Sequence, residues 1–286
     1  MNYIEFSRNY FGWLVNYFKK YFTDIKEDLI KSKIGMTIDE YLSVAFSTTI
    51  ITFFFETILL SFIFGMKTKI YEAVILSFSI SMAISLSIFF FFYIYPSSIA
   101  KSREKNIDLL LPFSSTYFYA LSSGNILPSE MFKTMSKFND YGEVSKESAD
   151  IARNIEMFGM DPLKSIKKVA ESTSSKKLKE FLWGMYTTIS SGGNIEAYLK
   201  DKSNSLMNDY KDRIVKFSKQ LSLYMEIYFT LIISGSIFFI VLSSIMGMIS
   251  STPVIVMIQS FVIFILLPLI SILFIVFTKS ISPTSD

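Results

Sequence analysis

Residues 73–95 read AVILSFSISMAISLSIFFFFYIY, with no charged side chain among them. At 1.5 Å per residue, a helix of this length covers the roughly 30 Å hydrocarbon core of a bilayer. Three further runs share its character: Ala45–Phe64, Ile227–Ile249 and Val254–Phe277. Between the second and third runs the chain turns charged, with apolar positions three and four apart and no strand alternation. The layout predicts an all-α, multi-pass membrane protein with four transmembrane helices and an antiparallel helical bundle outside the bilayer. The expected organisation is an amphipathic arm over 1–43, two transmembrane helices over 44–96, the bundle over 97–222, two more transmembrane helices over 223–278 and a tail over 279–286.

Composition agrees. Of 286 residues, 51% are hydrophobic and 29 are Phe, which a water-soluble chain rarely shows. Cysteine and histidine are both absent, so there is no disulfide framework and no thiolate or imidazole for a metal or for general-base work. A net charge of +3 gives no case for nucleic acid. No Gly-x-x-x-x-Gly-Lys-Ser/Thr, His-Glu-x-x-His or Gly-x-Ser-x-Gly pattern occurs. Neither an enzyme nor a cofactor is expected.

Lys and Arg set the orientation. The short loops 65–72 and 250–253 carry only Lys67 and Lys69. On the other side stand Lys26, Lys31 and Lys33 before the first run, and Lys101, Arg103 and Lys105 after the second. Lys211, Arg213, Lys216 and Lys219 precede the third run, and Lys279 follows the fourth. Both termini and the bundle are therefore expected in the cytoplasm. The first run does not read as a cleaved signal, because 44 residues precede it and no small-residue cleavage site follows.

Within the spans, Ala73, Ser77, Ser81 and Ser85 make a small-residue stripe that lets another helix approach, in this chain or in a second copy. Pro268 removes one helical hydrogen bond and should kink the fourth helix. Glu56 lies mid-way along the first run, where a charge costs a few kcal/mol. It reads either as a protonated acid bonded to a neighbouring serine or as part of a proton path. Glu226 lies at the inner boundary of the third run.

In the arm, Phe11, Leu14, Val15, Phe18, Phe22, Ile25 and Leu29 form one helical stripe with Trp13 near it, suited to the inner leaflet or to the bundle. Thr37–Glu40 reads as a capping box. Pro96 is expected to close the second span, and Pro112 to interrupt the next helix. Gly124 suits a left-handed cap. Helices should follow at Pro128–Lys137, Glu143–Phe158, from Pro162 capped by Asp161, over Lys176–Ile189 capped by Ser174 or Ser175, and from Ile195 capped by Asn194 onward into the third span. Glu143, Lys146, Glu147 and Asp150 read as a solvated face. Phe118–Asn125 (FYALSSGN) echoes Met185–Asn194 (MYTTISSGGN), which predicts two helical hairpins of one kind.

Leu111-Pro-Phe113, Tyr119–Gly124 (YALSSG), Tyr141-Gly-Glu143 and Phe158–Leu163 (FGMDPL) together resemble the type II secretion system F domain. Thr173-Ser-Ser175, Phe181-Leu182, Ile189–Asn194 (ISSGGN), Glu226–Thr230 (EIYFT) and Met246-Gly-Met248 extend the likeness over about residues 90–282. It is most similar to the archaeal branch, the platform proteins of type IV pili and the archaellum. The resemblance implies a non-enzymatic platform in the cell membrane that couples a cytoplasmic hexameric ATPase to pilin extraction. The implied partners are that secretion or assembly ATPase, pilin or archaellin-like subunits and the lipid bilayer.

Many archaeal relatives carry two such domains in tandem, and this chain looks like one half. A homodimer or higher oligomer is expected, or a second chain supplying the other half. The partner-binding candidates are the loop tips at Gly124, Asn125 and Pro128 and at Gly192, Gly193 and Asn194, or the charged stretch with Lys164, Lys167, Lys168, Lys176 and Lys177. The competing class is a transporter or channel subunit using Glu56.

Overall fold

The computed structural model describes residues 3–67, 69–124, 126–249 and 253–281. Asn125, one of the partner-binding candidates, lies outside the described residues, as does the tail beyond 281. The molecule divides into two compact units, Met1–Lys200 and Asp201–Asp286.

The first unit begins with α1 (Tyr3–Phe18), a 3-10 turn at Lys19–Tyr21 and α2 (Thr23–Ser32). The arm is thus two helices rather than the single one expected. Phe22 explains the break. Its ring wedges against Phe46, Phe89 and Tyr93 at centroid distances of 6.5, 5.9 and 6.0 Å, and the chain turns around that anchor. Val15, Ile25 and Leu29 are buried as the stripe predicts, while Trp13 is 70% exposed.

Next come α3 (Ile38–Gly65) and α4 (Ile70–Ser123), an antiparallel hairpin. The capping box forms at the start of α3: the Thr37 amide donates to Glu40 Oε2 at 2.9 Å, and the Glu40 amide donates to Thr37 Oγ1 at 3.3 Å. Contacts from both ends of α1 fall within residues 39–48 of α3. The Tyr3 hydroxyl meets Thr48 at 2.9 Å, Ser7 meets Ser47 at 2.7 Å, and Lys19 meets Asp39 at 2.7 Å. The small-residue stripe of α4 is fully covered, with Ala73, Ser77 and Ser81 at 0% exposure, so it is used for packing within this chain.

Pro96 does not end the second span. The helix runs through Pro96 and Pro112 to Ser123. A proline at 96 has no amide hydrogen for the carbonyl of Phe92, four residues back. That carbonyl is taken by the Tyr41 hydroxyl, which donates to it from α3 at 2.8 Å. The hydrogen bond lost along the helix is replaced across the hairpin.

The rest of the unit is a helical lobe. It contains the charged half of α4, α5 (Pro128–Met135), α6 (Gly142–Glu156), α7 (Pro162–Ser172), α8 (Lys176–Ser190) and the start of α9 (Ile195–Tyr228). The expected caps form: the Lys164 amide donates to Asp161 at 3.1 Å, the Leu178 amide to Ser175 at 3.1 Å and the Ala197 amide to Asn194 at 3.0 Å. The core centres on Phe118, with Phe132 and Phe181 at 5.2 and 5.6 Å. Tyr198 donates to the Phe181 carbonyl at 2.9 Å, and burial, followed by the nearby Glu180 carboxylate, pushes its phenol up to about 12. The phenol therefore stays a donor at any physiological pH. It fits only because residue 184 is glycine: a Cβ there would lie 2.1 Å from the Tyr198 oxygen.

In the second unit, a π-helical stretch at Phe229–Ser234 links α9 to α10 (Gly235–Ile249). α11 (Pro253–Phe261) and α12 (Leu267–Ile281) flank a second π stretch, Val262–Leu266, directly before Pro268. The fourth span thus takes up its proline by widening. Tyr228 stacks on Phe274 at 4.5 Å and its hydroxyl meets Ser271 at 2.9 Å.

Two outcomes follow. Tyr41→Phe should cost about 1–2 kcal/mol by stranding the Phe92 carbonyl, and less than half of that in a Pro96→Ala background, where an amide returns; unfolding in mixed micelles measures both. Gly184→Ala should lower the melting midpoint, as overpacking by about 1–3 kcal/mol does.

Candidate functional site

The element that ties arm, membrane hairpin and lobe together is a buried cluster of charges. Arg103 projects from α4, two turns beyond the second apolar run. Its guanidinium reaches Glu143 at 2.6 Å and Glu147 at 2.9 Å, both on α6. Lys33, the residue that ends α2, lies 2.8 Å from the other Glu147 oxygen, as a charge contact without hydrogen-bond alignment, and also pairs with Asp150. Glu147 is 2% exposed and Arg103 13%.

Lys33 adopts a left-handed backbone at φ 54°, a conformation that costs an L-residue about 1–2 kcal/mol. Its two acidic partners hold it there. The α6 acids were expected on a solvated face; instead Glu147 is buried. Glu143, Glu147 and Asp150 fall on one helical stripe, and that stripe meets cations from two other helices. An acidic stripe at i, i+4 and i+7 was the signal in the sequence, but the partners lie 40 to 117 positions away, beyond the reach of pattern reading.

Asn106 sets the start of α6. Its side-chain carbonyl accepts from the Glu143 amide at 2.9 Å. Gly142 turns there at φ +52°, and a Cβ on it would lie 2.5 Å from the Asn106 oxygen. This is a physical reason for Tyr141-Gly-Glu143.

The predicted partner-binding residues separate into groups. At the end of α4, Gly124 stands at the close of the helix, and the Ser123 hydroxyl donates to Glu196 in the first turn of α9 at 3.3 Å. That contact joins the Gly124 tip to the turn holding Gly192, Gly193 and Asn194, all exposed. Pro128 opens α5 beside the 68%-exposed Leu127. Gly124 has φ −83°, not the left-handed cap expected; Gly192, at φ +69°, takes that conformation. The two echoing hairpins therefore differ in backbone at their turns, and they restart as helices of 8 and 34 residues.

Lys164, Lys167 and Lys168 are exposed along α7, and the Lys167 ammonium sits over the Trp183 ring at 5.8 Å. Lys176 and Lys177 begin α8 at the opposite end of the lobe, where Lys177 pairs with Asp108 at 3.4 Å. Sequence reading did not single out Met157, 76% exposed after α6 beside the 70%-exposed Phe158 that opens the FGMDPL motif. In the spans, Glu56 Oε2 is buried without a hydrogen-bond partner, so the expected serine bond is not made at that oxygen. Glu226 is exposed.

Four helices are long and apolar enough to cross a membrane, and the chain is a membrane protein. Residues 115–243 match the family described as type II secretion system (T2SS), protein F. That likeness to a T2SS protein F domain covers a little under half of the chain. Two proteins of Methanocaldococcus jannaschii are similar to it. An uncharacterized protein is 29% identical over 135 residues, covering 47% of this chain and 23% of that protein. Flagella accessory protein J is 23% identical over 145 residues, covering 50% of this chain and 26% of that protein. The matched stretch thus spans about a quarter of either relative's length. No solved structure matches. The F-domain match begins at Ser115, takes in only the last nine residues of α4, covers the helices that follow it and runs on to Ser243, leaving the arm and the first hairpin outside it.

Removing one partner of the buried cluster strands a buried charge. Arg103→Met should destabilise the protein by about 3–5 kcal/mol, and Glu147→Gln in that background should recover part of the loss. Denaturation in micelles reads both.

Proposed function

We propose that this protein is a non-enzymatic membrane platform subunit of a type IV pilus-like assembly or secretion machine. In this reading both termini and the lobe face the cytoplasm, as the Lys and Arg bias requires. The lobe engages a hexameric assembly ATPase, and the membrane helices act on pilin or archaellin-like subunits. Besides the F-domain match, one observation carries the reading. A single helix, α4, runs 54 residues from the outer end of the hairpin to the lobe tip. At 1.5 Å per residue that is about 80 Å of unbroken rod. The Tyr41 bond removes the weak point at Pro96, and the Arg103 cluster fixes the lobe to the rod. A push at the tip is therefore carried to the bilayer along one continuous helix.

The ATPase-facing surface in this reading is the far end of the lobe: Gly124, Pro128 and the turn with Gly192, Gly193 and Asn194, with Lys164, Lys167 and Lys168 on the adjoining α7 face. Lys176 and Lys177 sit at the other end and drop out of that surface. A second F-domain half, from another copy or another chain, completes the platform, and the unpartnered oxygen of Glu56 offers that half a contact.

Full-length protein in lipid nanodiscs should bind its assembly ATPase. Leu127→Glu, a change at an exposed tip residue, should weaken that binding about tenfold or more while leaving the melting midpoint unchanged. Unimpaired binding would overturn the tip assignment, and no binding by the unaltered protein would overturn the platform reading. Amine-reactive reagent applied outside intact cells should leave Lys146 and Lys176 unmodified and should reach them in inverted vesicles; labelling from outside would reverse the topology.

A further inference from the structure

At the end of the lobe opposite the tip, the turn between α7 and α8 closes over α2 and α4 and leaves a cleft of about 290 Å³. Ser97, Ala100 and Lys101 of α4 form one wall. Ser97 stands only two residues, about 3 Å of helix rise, past the apolar run that ends at Tyr95. The cleft therefore begins at the depth of the lipid headgroups, a layer about 5–8 Å thick beyond the hydrocarbon.

Its other wall is Thr173, Ser174, Ser175 and the first turn of α8. Ser175 is fully used, donating to Asp108 and accepting from the Leu178 amide. Thr173 and Ser174 are not. They are 5% and 8% exposed, and their buried hydroxyls have no hydrogen-bond partner. A buried hydroxyl without a partner costs about 1–3 kcal/mol, so two side by side call for an occupant that accepts hydrogen bonds. The same wall offers the first amides of a 15-residue helix, which have no acceptor within it and carry the positive end of its dipole.

Lys101, Lys176 and Lys179 line the cleft, and none has a carboxylate within ion-pair distance among the described residues. Lys31 also lines it but is held by Glu27 at 3.1 Å. Against these cations stand Asp28, Glu104 and Glu171. With Lys31 paired to Glu27 and Glu171 paired to Lys167, three lysines against Asp28 and Glu104 leave one net positive charge. That balance rejects a polyanion such as nucleic acid and accommodates a single phosphodiester, with or without an ammonium beside it.

The geometry points to a phosphate-binding cleft that holds the headgroup of a phospholipid from the adjoining leaflet. The Thr173 and Ser174 hydroxyls donate to the phosphate oxygens, and the α8 amino terminus and Lys176 and Lys179 supply charge. A bound lipid would pin the α7–α8 turn to the bilayer beside the root of α4. This rests on the apolar runs crossing the membrane and not on any ATPase, so it can fail while the platform reading stands.

The test uses the full chain in detergent micelles, titrated with phosphatidylglycerol and read by native mass spectrometry. Diacylglycerol with the same acyl chains and inorganic phosphate alone are run in parallel. The expected result is a saturable phosphatidylglycerol adduct absent with diacylglycerol and not displaced by inorganic phosphate. Its apparent dissociation constant should weaken about tenfold in the Thr173→Val/Ser174→Ala double variant and in Lys179→Gln, and stay unchanged in Lys164→Gln. Where the double variant does not fold, Lys179→Gln, at an exposed residue, decides alone. Equal lipid affinity in Lys179→Gln and the unaltered protein would overturn the site. Binding of inorganic phosphate in place of lipid would overturn its lipid identity.

Discussion

The carbonyl of Phe92 is the point on which the architecture turns. A proline four residues later withdraws the amide that would normally satisfy it, and at the edge of a membrane no water is assured to replace that amide. Tyr41, held in the hairpin by its packing near Phe92, donates instead. Because that one bond is made, α4 crosses from the apolar hairpin into the lobe without ending. Everything in the lobe is then placed by a rod whose root lies between the membrane helices. Proline here does not work as a stop signal; it is a vacancy filled by another helix.

The buried charges act on that rod at its exit from the membrane. Arg103 and Lys33 bring cations from two directions onto the acidic stripe of α6. Such a cluster is weak evidence of net stability, since desolvating the ions costs about as much as their attraction returns. Its value is specificity: an apolar contact tolerates sliding, whereas Glu147 set between two cations, Arg103 and Lys33, fixes one register of arm, rod and lobe. The left-handed backbone at Lys33 is consistent with a joint where local conformation yields to tertiary contacts.

The lobe has two ends with different chemistry. Far from the membrane, two Ser-Ser-Gly turns are drawn together through Ser123 and Glu196, with Leu127 exposed nearby. Close to the membrane, lysines and unused hydroxyls surround the start of α8. In the proposed platform reading, a protein partner pushes on the first end and the bilayer holds the second. One helix, α4, runs between them.

The order of elements was legible in the sequence because it rests on short-range physics. Run length against bilayer thickness located the spans. Side chains three positions from an amide located the caps at Thr37, Asp161, Ser175 and Asn194, and the order of short motifs pointed to the F domain. What failed were readings that depended on distant neighbours. Pro96 was a helix end until Tyr41 supplied its missing bond, the α6 acids were a wet face until Arg103 and Lys33 arrived, and the arm was one helix until Phe22 found its aromatic pocket. Local sequence sets what each segment can form. Whether a lost hydrogen bond is replaced, a charge is buried or a hydroxyl is left without a partner is decided only when residues tens of positions apart meet, because those energies belong to contacts and not to segments.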